Sequence, residues 1–253
     1  MLKRLYIYFI IGVTALTAAS TDALAQQAMG SPGLINVPTA EMDTVGMARV
    51  GFQFIPKCLI PDKIQLDGEK FDSWTNYLSI TPFHWVEVGY GYTLWKFHKN
   101  KNPKREVGFY AKDRYFSARI QPLREGRWWP ALAIGGNDVW GTGDDGESGS
   151  FYYRNFYVAA TKHFQLADMV TVGTHLTYRK WKRDYNHRWN GVVGGLTVSP
   201  DMLPELKLIA EWNGNGVNAG VDYRLLRYFQ FQAALVQGKY FTGGLCLMIP
   251  LIR

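Results

Sequence analysis

From Val45 to the C-terminus, apolar and polar residues alternate with a period of two. Between Gly216 and Leu225, the residues Val217, Ala219, Val221, Tyr223 and Leu225 fall on one side, and Asn218, Gly220, Asp222 and Arg224 on the other. Successive side chains of a strand point to opposite faces, so this pattern predicts a strand with one apolar and one polar face. Val86, Val88, Tyr90, Tyr92 and Leu94 oppose Glu87, Gly89, Gly91 and Thr93 in the same way. Candidate strands fall near 46–55, 72–82, 85–96, 113–121, 130–139, 151–163, 168–179, 189–199, 204–212, 216–225, 228–236 and 240–250. Most approach the ~9–11 residues with which a tilted strand crosses a bilayer.

The connections alternate between two kinds. Residues 56–70, 97–112, 140–150, 180–188, 213–216 and 237–239 form one set, in which the long connections fall; 82–84, 122–129, 164–168, 200–204 and 226–227 form the shorter one. Tight turns on one rim and longer loops on the other are the arrangement of outer-membrane barrels. The predicted fold is therefore all-β: an antiparallel transmembrane β-barrel of about twelve strands. An even strand number puts both termini on the tight-turn, periplasmic side. Aromatic residues gather near strand ends, at Phe83, Trp85, Trp95, Trp128, Trp129, Phe151, Tyr178, Trp181, Trp189, Trp212 and Tyr228 among others, as expected of girdles at the water–lipid boundary.

Composition narrows the class further. Charged residues make up 19% of the chain, which excludes a disordered polyelectrolyte. After the N-terminal region no apolar run approaches the ~20 residues of a membrane helix. Lys3 and Arg4, an apolar stretch over 5–16, and Ala23-Leu24-Ala25 before Gln26 form a secretory signal pattern. No cysteine follows that cleavage site, so a lipoprotein anchor is not expected. The organisation reads as signal peptide 1–25, an extended segment 26–44, and the barrel 45–253. Cys58 and Cys246 do not make a disulfide framework, and a loop cysteine rarely meets mid-strand geometry.

If the apolar faces touch lipid, the polar faces line the lumen. That lumen set is Arg49, Gln53, Glu87, Arg119, His175, Arg179, Lys207, Glu211, Asp222, Arg224, Gln230 and Gln232. A barrel this narrow lets long side chains meet across it, so a salt-bridged polar core is expected, with a solute or polymer path as the alternative. Glu87, Arg119, His175, Glu211, Asp222 and Arg224 are the principal lining candidates. The glycine pairs Gly135-Gly136 and Gly194-Gly195 suggest close packing or kinks.

Catalytic signals are weak. There is no Gly-x-Ser-x-Gly, and His163 and Ser150 fall at opposite ends of one strand. No Cys/His spacing resembles a zinc site, and Asp144-Asp145 in a glycine-rich loop lack EF-hand spacing. No catalytic residue, metal or cofactor is expected. The long-loop side is basic: Lys96, Lys99, Lys101, Lys104 and Arg105 fall in one loop. Lys180, Lys182, Arg183 and Arg188 fall in another, interleaved with Trp181, Tyr185 and Trp189. At a cell surface the available anions are lipopolysaccharide phosphates and acidic sugars rather than nucleic acid. Lys180, Trp181, Lys182, Arg183 and Trp189 are the contact candidates, with a plain solvated loop as the alternative.

Residues 30–42 are rich in Gly and Pro yet apolar at Leu34, Ile35 and Val37, and Pro32 and Pro38 forbid a regular helix. So apolar a segment should be tied down. Gly33, Leu34, Ile35, Pro38 and Thr39 are expected to tuck against or into the periplasmic mouth as a short plug.

The run Gly33-Leu34-Ile35-Asn36-Val37-Pro38-Thr39-Ala40, followed by Gly51-Phe52, resembles the opening of the YjbH-like family of outer-membrane proteins. The likeness continues in order through Asp113 to Arg119, Pro130 to Asp138, Gly141-Thr142-Gly143, Tyr157 to Lys162 and Val217 to Leu225. The resemblance implies a β-barrel linked to synthesis or export of exopolysaccharide or capsule, here in a single-barrel form, and brings no catalytic residues with it. The expected function is non-enzymatic support of that process. The expected surroundings are outer-membrane lipid and lipopolysaccharide, with surface polysaccharide and export-complex proteins as partners. A lipid- or glycan-modifying enzyme and a structural or adhesive barrel are the alternatives.

Overall fold

The computed structural model describes residues 30–141, 151–167, 169–183 and 188–252. The signal segment, Asp144, Asp145, Ser150, Tyr185 and His187 lie outside the described residues. Twelve antiparallel strands close into one barrel, each paired with its sequence neighbours. They are β1 (Met47–Ile55), β2 (Ser73–Phe83), β3 (Val86–His98), β4 (Val107–Leu123), β5 (Ala131–Gly141), β6 (Asn155–Leu166), β7 (Val170–Trp181), β8 (Gly191–Pro200), β9 (Leu206–Trp212), β10 (Val217–Leu225), β11 (Phe229–Val236) and β12 (Tyr240–Pro250). The seam is β1, where Phe52 lies opposite Asn76 on β2 and Leu245 on β12. Closure leaves no strand with an unpaired row of backbone groups, the condition a sheet must meet in lipid.

The period of two decides which residues face where. On β11 Phe229, Phe231, Ala233 and Leu235 are exposed while Gln230, Gln232, Ala234 and Val236 are buried. Val50, Val158, Leu176, Val192 and Leu208 likewise stand on an exposed apolar outer wall. An apolar face turned outward around a polar interior is the inverse of a soluble sandwich and identifies a transmembrane barrel.

Several boundaries differ from the sequence reading. β3 and β4 run on into the expected loop at 97–112, with Phe97 opposite Gly108 and His98 opposite Val107, and the connection shortens to residues 99–106, which opens on a turn at Lys99–Lys101. Lysines broke the apolar alternation there, but pairing needs only backbone. β6 begins at Asn155 rather than 151, because Phe151 takes a positive φ in a turn with the Arg154 guanidinium over its ring. Two expected girdle aromatics are buried instead. Phe151 packs within that turn, and Trp95, which shares the parity of Glu87 and Thr93, points inward and stacks on Tyr153.

The segment before β1 lies inside the lumen and reaches well past the mouth on the tight-turn side. Leu34, Ile35, Val37 and Ala40 are wholly buried. A tight reversal, with Leu34 N–H bonded to the Val37 carbonyl at 2.8 Å and Gly33 bridged to Pro38, turns its tip toward the long-loop side. Leu34, Ile35 and Val37 pack on Val193, Ile209, Ala234 and Val236, an apolar pad on the inner wall. Gly195 makes room for it: a Cβ there would stand 2.6 Å from Leu34 Cδ1. At the long-loop end, the β1–β2 connection folds Ile60 and Ile64 over Ile55, Trp95 and Tyr153.

Candidate functional site

The six principal lining candidates are all buried in the lumen, and most of them hold the interior segment or its neighbours. Glu211 on β9 receives the backbone N–H groups of Ile35 (2.9 Å), Asn36 (2.9 Å) and Val37 (3.1 Å), with Asn218 Nδ2 donating at 2.6 Å. Three consecutive amides converging on one carboxylate form a nest, the backbone arrangement that suits an anion. Arg119 on β4 pairs with Glu87 at 3.0 Å and donates to the carbonyls of Pro32 (3.1 Å) and Thr39 (3.2 Å). Asp222 on β10 accepts from Gln230 Nε2 at 2.7 and 2.8 Å. The Gln230 carbonyl accepts from Arg49 at 2.7 Å, and Arg49 is ion-paired with Asp43. Arg224 lies on the same inward face, its backbone N–H bonded to the Glu205 carbonyl.

Further donors complete the lining. Thr177 Oγ1 meets the Pro38 carbonyl (2.6 Å), Arg179 the Asn36 carbonyl (2.8 Å), and Gln121 the Ala40 carbonyl (2.6 Å). Each buried backbone group so bonded removes a desolvation cost of roughly 1–3 kcal/mol. The apolar residues of this segment can therefore enter a polar lumen because wall side chains satisfy their backbone.

His175 on β7 belongs to a second cluster, nearer the tight-turn rim. Its ring nitrogens contact the hydroxyls of Thr161 (3.1 Å) and Thr197 (3.0 Å). Beside it His163 on β6 presents Nδ1 to Glu125 (2.7 Å) and Nε2 to Glu41 (3.4 Å). Lys207 Nζ lies 3.0 Å from the same Glu41 oxygen. Burial opposes the charge on Glu41, but Lys207 and the two imidazoles outweigh it and hold its carboxyl well below the usual carboxylate range. Glu125 is also lowered: partial burial works against its charge, and hydrogen bonds from His163 and Lys162 overcome that. Glu41, Glu125, His163 and Lys207 border a cavity of about 650 Å³ among residues 40–45 and the ends of β4 to β9 on the tight-turn side. Sequence reasoning missed Glu41, Glu125 and the grouping with His163. Strand parity, shared by His163 with Thr161, was the one available sign.

The contact candidates of the long-loop side separate. Lys180, Lys182 and Trp189 are exposed, Arg183 is half-buried, and Trp189 packs on Trp212. Trp181 instead turns inward, with the guanidinium carbons of Arg188 and Arg179 at 4.3 and 4.8 Å from its ring. It shares the parity of Thr177 and Arg179, so it lines a small pocket at the outer mouth beside Asn36, Tyr153 and Asn213. It therefore does not stand with the exposed basic group. Cys58 and Cys246 are unpaired thiols.

The fold and its filled interior define a transmembrane β-barrel with an occupied lumen. The sequence profile of the YjbH family, described as exopolysaccharide biosynthesis protein YbjH, matches residues 25–189. The chain belongs to this family. No curated protein matches the chain. Among solved structures, an outer membrane channel from Pseudomonas putida F1 is similar at 12% identity and a TM-score of 0.40, over 83% of this chain and 97% of that one. Outer membrane phospholipase A from Escherichia coli is similar at 9% identity and a TM-score of 0.33, over 81% and 95%. The calcium-bound phospholipase dimer from Salmonella typhi stands at 10% identity and 0.33, over 81% and 89%.

Proposed function

We propose that this protein is a non-enzymatic outer-membrane barrel that supports exopolysaccharide or capsule export, with residues 30–44 as its internal plug and both chain termini on the periplasmic side. The observation that carries the plug is Glu211 gathering three consecutive backbone amides of the turn at 35–37. Such a clasp holds the lumen shut until the segment moves. Membership of the exopolysaccharide family supports the process served, and the apolar outer wall supports a lipid surround. Lys180, Lys182 and Trp189 on the long-loop side offer charge and a ring face to lipopolysaccharide or an acidic glycan. Export-complex proteins are the expected partners. No nucleic acid or cofactor enters this reading.

A hydrolase would need a base beside an accessible nucleophile. The acids near His163 meet part of that requirement, but the hydroxyls on His175 belong to Thr161 and Thr197, both buried in the barrel wall. The test is a deletion strain under conditions that induce surface polysaccharide. Surface polysaccharide should fall, and both the wild-type gene and a folded Thr197→Val variant should restore it. Unchanged polysaccharide in the deletion strain would remove the proposal. Restoration by wild type but not by folded Thr197→Val would favour the enzyme.

A further inference from the structure

We infer that Glu41, His163 and His175 form a binding site for a divalent first-row transition metal, of which zinc is the best-fitting ion, and that the metal clips the interior segment to the barrel wall. One ligand atom from each residue lies within 4.8 Å of the others. Two imidazoles and one carboxylate are a donor set that zinc takes up with a fourth position left to water. His163 Nε2 and Glu41 Oε1 are 3.4 Å apart. Two ligands on a tetrahedral zinc with bonds of ~2.0–2.1 Å are separated by about 3.3–3.4 Å, so this edge is already at the spacing a shared ion needs.

The surroundings of His163 match what a metal-bound imidazole requires. Its Nδ1 is 2.7 Å from Glu125 Oε2, and a carboxylate on the distal nitrogen fixes the ring and directs the other lone pair at the ion. With Nδ1 as donor, neutral His163 aims the Nε2 lone pair at the Glu41 oxygen, an arrangement that only a proton or a cation between them relieves. Room for both rings comes from Gly173, where a Cβ would stand 2.9 Å from His175 Nε2 and 3.1 Å from His163 Cδ2. The adjoining cavity of about 650 Å³ gives the ion a route and space for its water. Lys207 already neutralises Glu41. A bound dication takes the place of Lys207 on Glu41, while Glu125, whose other oxygen is paired with Lys162 at 2.9 Å, keeps its hold on His163 Nδ1. The three ligands come from the interior segment, β6 and β7, which is why no compact spacing in the sequence announces them.

The proposal concerns metal binding alone, so its failure leaves the exopolysaccharide reading intact. The full-length barrel, folded in detergent, is titrated with zinc chloride by calorimetry, and its zinc-edge X-ray absorption is recorded. One ion per folded chain and a first shell with two imidazoles are expected. His163→Gln and Glu41→Gln should each weaken binding by more than ten-fold, and Glu125→Gln by about ten-fold through lost orientation. Folding of each variant is checked by the heat-dependent gel shift of the barrel. Because the wild-type absorption spectrum needs no variant, misfolding of one does not spare the proposal. A flat titration would mean that His163 is an imidazolium held between two carboxylates, and an oxygen-only shell would mean surface binding. Either result overturns the site.

Discussion

Both carboxylate oxygens of Glu211 lie 2.9 Å from the backbone nitrogen of Asn36, across 175 residues of chain. This bond sits at the tip of the reversed segment, where Leu34, Ile35 and Val37 meet the apolar pad. Hydrogen bonds to a charged acceptor contribute roughly 1.5–3 kcal/mol each, and removing the acceptor strands the donors in a dry site. Glu211→Gln replaces one acceptor oxygen with an NH2 group that faces other N–H groups. Planar-bilayer recordings should therefore show rare, small openings for wild type and a markedly raised open fraction for Glu211→Gln. Equal conductance in the two proteins would remove Glu211 as the clasp.

Arg119 serves both the wall and the segment. Its guanidinium holds Glu87 at 3.0 Å and two carbonyls of the interior chain. Truncating one partner of a buried ion pair leaves an uncompensated charge, at a cost of about 3–5 kcal/mol. Arg119→Ala should lower the denaturant midpoint of the detergent-folded barrel by an amount of that order. Adding Glu87→Gln should recover part of the loss, since the stranded charge is then gone. A double variant no more stable than Arg119→Ala would show that the carbonyl contacts, and not Glu87, dominate.

Glu41 sets the pH response of the segment. Its carboxyl is held well below the ordinary value by Lys207, His163 and His175, against the opposing effect of burial. A depressed folded-state value means that the charged form stabilises the docked state at all pH above the ordinary carboxylate range. The contribution disappears as pH falls through the depressed value. Protection of residues 30–44 from added protease should persist at about pH 5 and fail only in stronger acid. Glu41→Gln should weaken protection at neutral pH and flatten the acid dependence. Loss of protection between neutrality and about pH 5 would contradict this assignment.

The strand pattern and the inward set were legible because parity is a local property. Asp222 faces inward for the same reason that Val221 and Tyr223 face out. Trp181 and Trp95 share the parity of the inward Arg179 and Thr93, but their aromatic character at strand ends leads the sequence reading to place both in the girdles, and the structure turns them inward. The depth of the interior segment was not legible. Its burial rests on Glu211, Arg119, Thr177 and Arg179, each far away in sequence, bonding to backbone atoms that no side-chain pattern reveals. The extension of β3 and β4 was hidden for a related reason, since its pairing continues through residues with no apolar face to maintain.

The outer wall offers the sharpest test of the membrane assignment. Leu176 stands near the middle of β7 and is 59% exposed, opposite Ala160 on β6, while the adjacent Thr177 points into the lumen and bonds the Pro38 carbonyl. In a barrel surrounded by lipid, an arginine at Leu176 must be carried into hydrocarbon, at a cost of about 2–4 kcal/mol near the midplane. In water the same exposed position would accept arginine with almost no penalty. Leu176→Arg should therefore fold poorly into phospholipid vesicles, read as loss of the heat-dependent gel shift. Met202→Arg, at a fully exposed residue of the β8–β9 turn, should fold like wild type. Equal folding of both variants would mean that lipid does not cover the wall at Leu176.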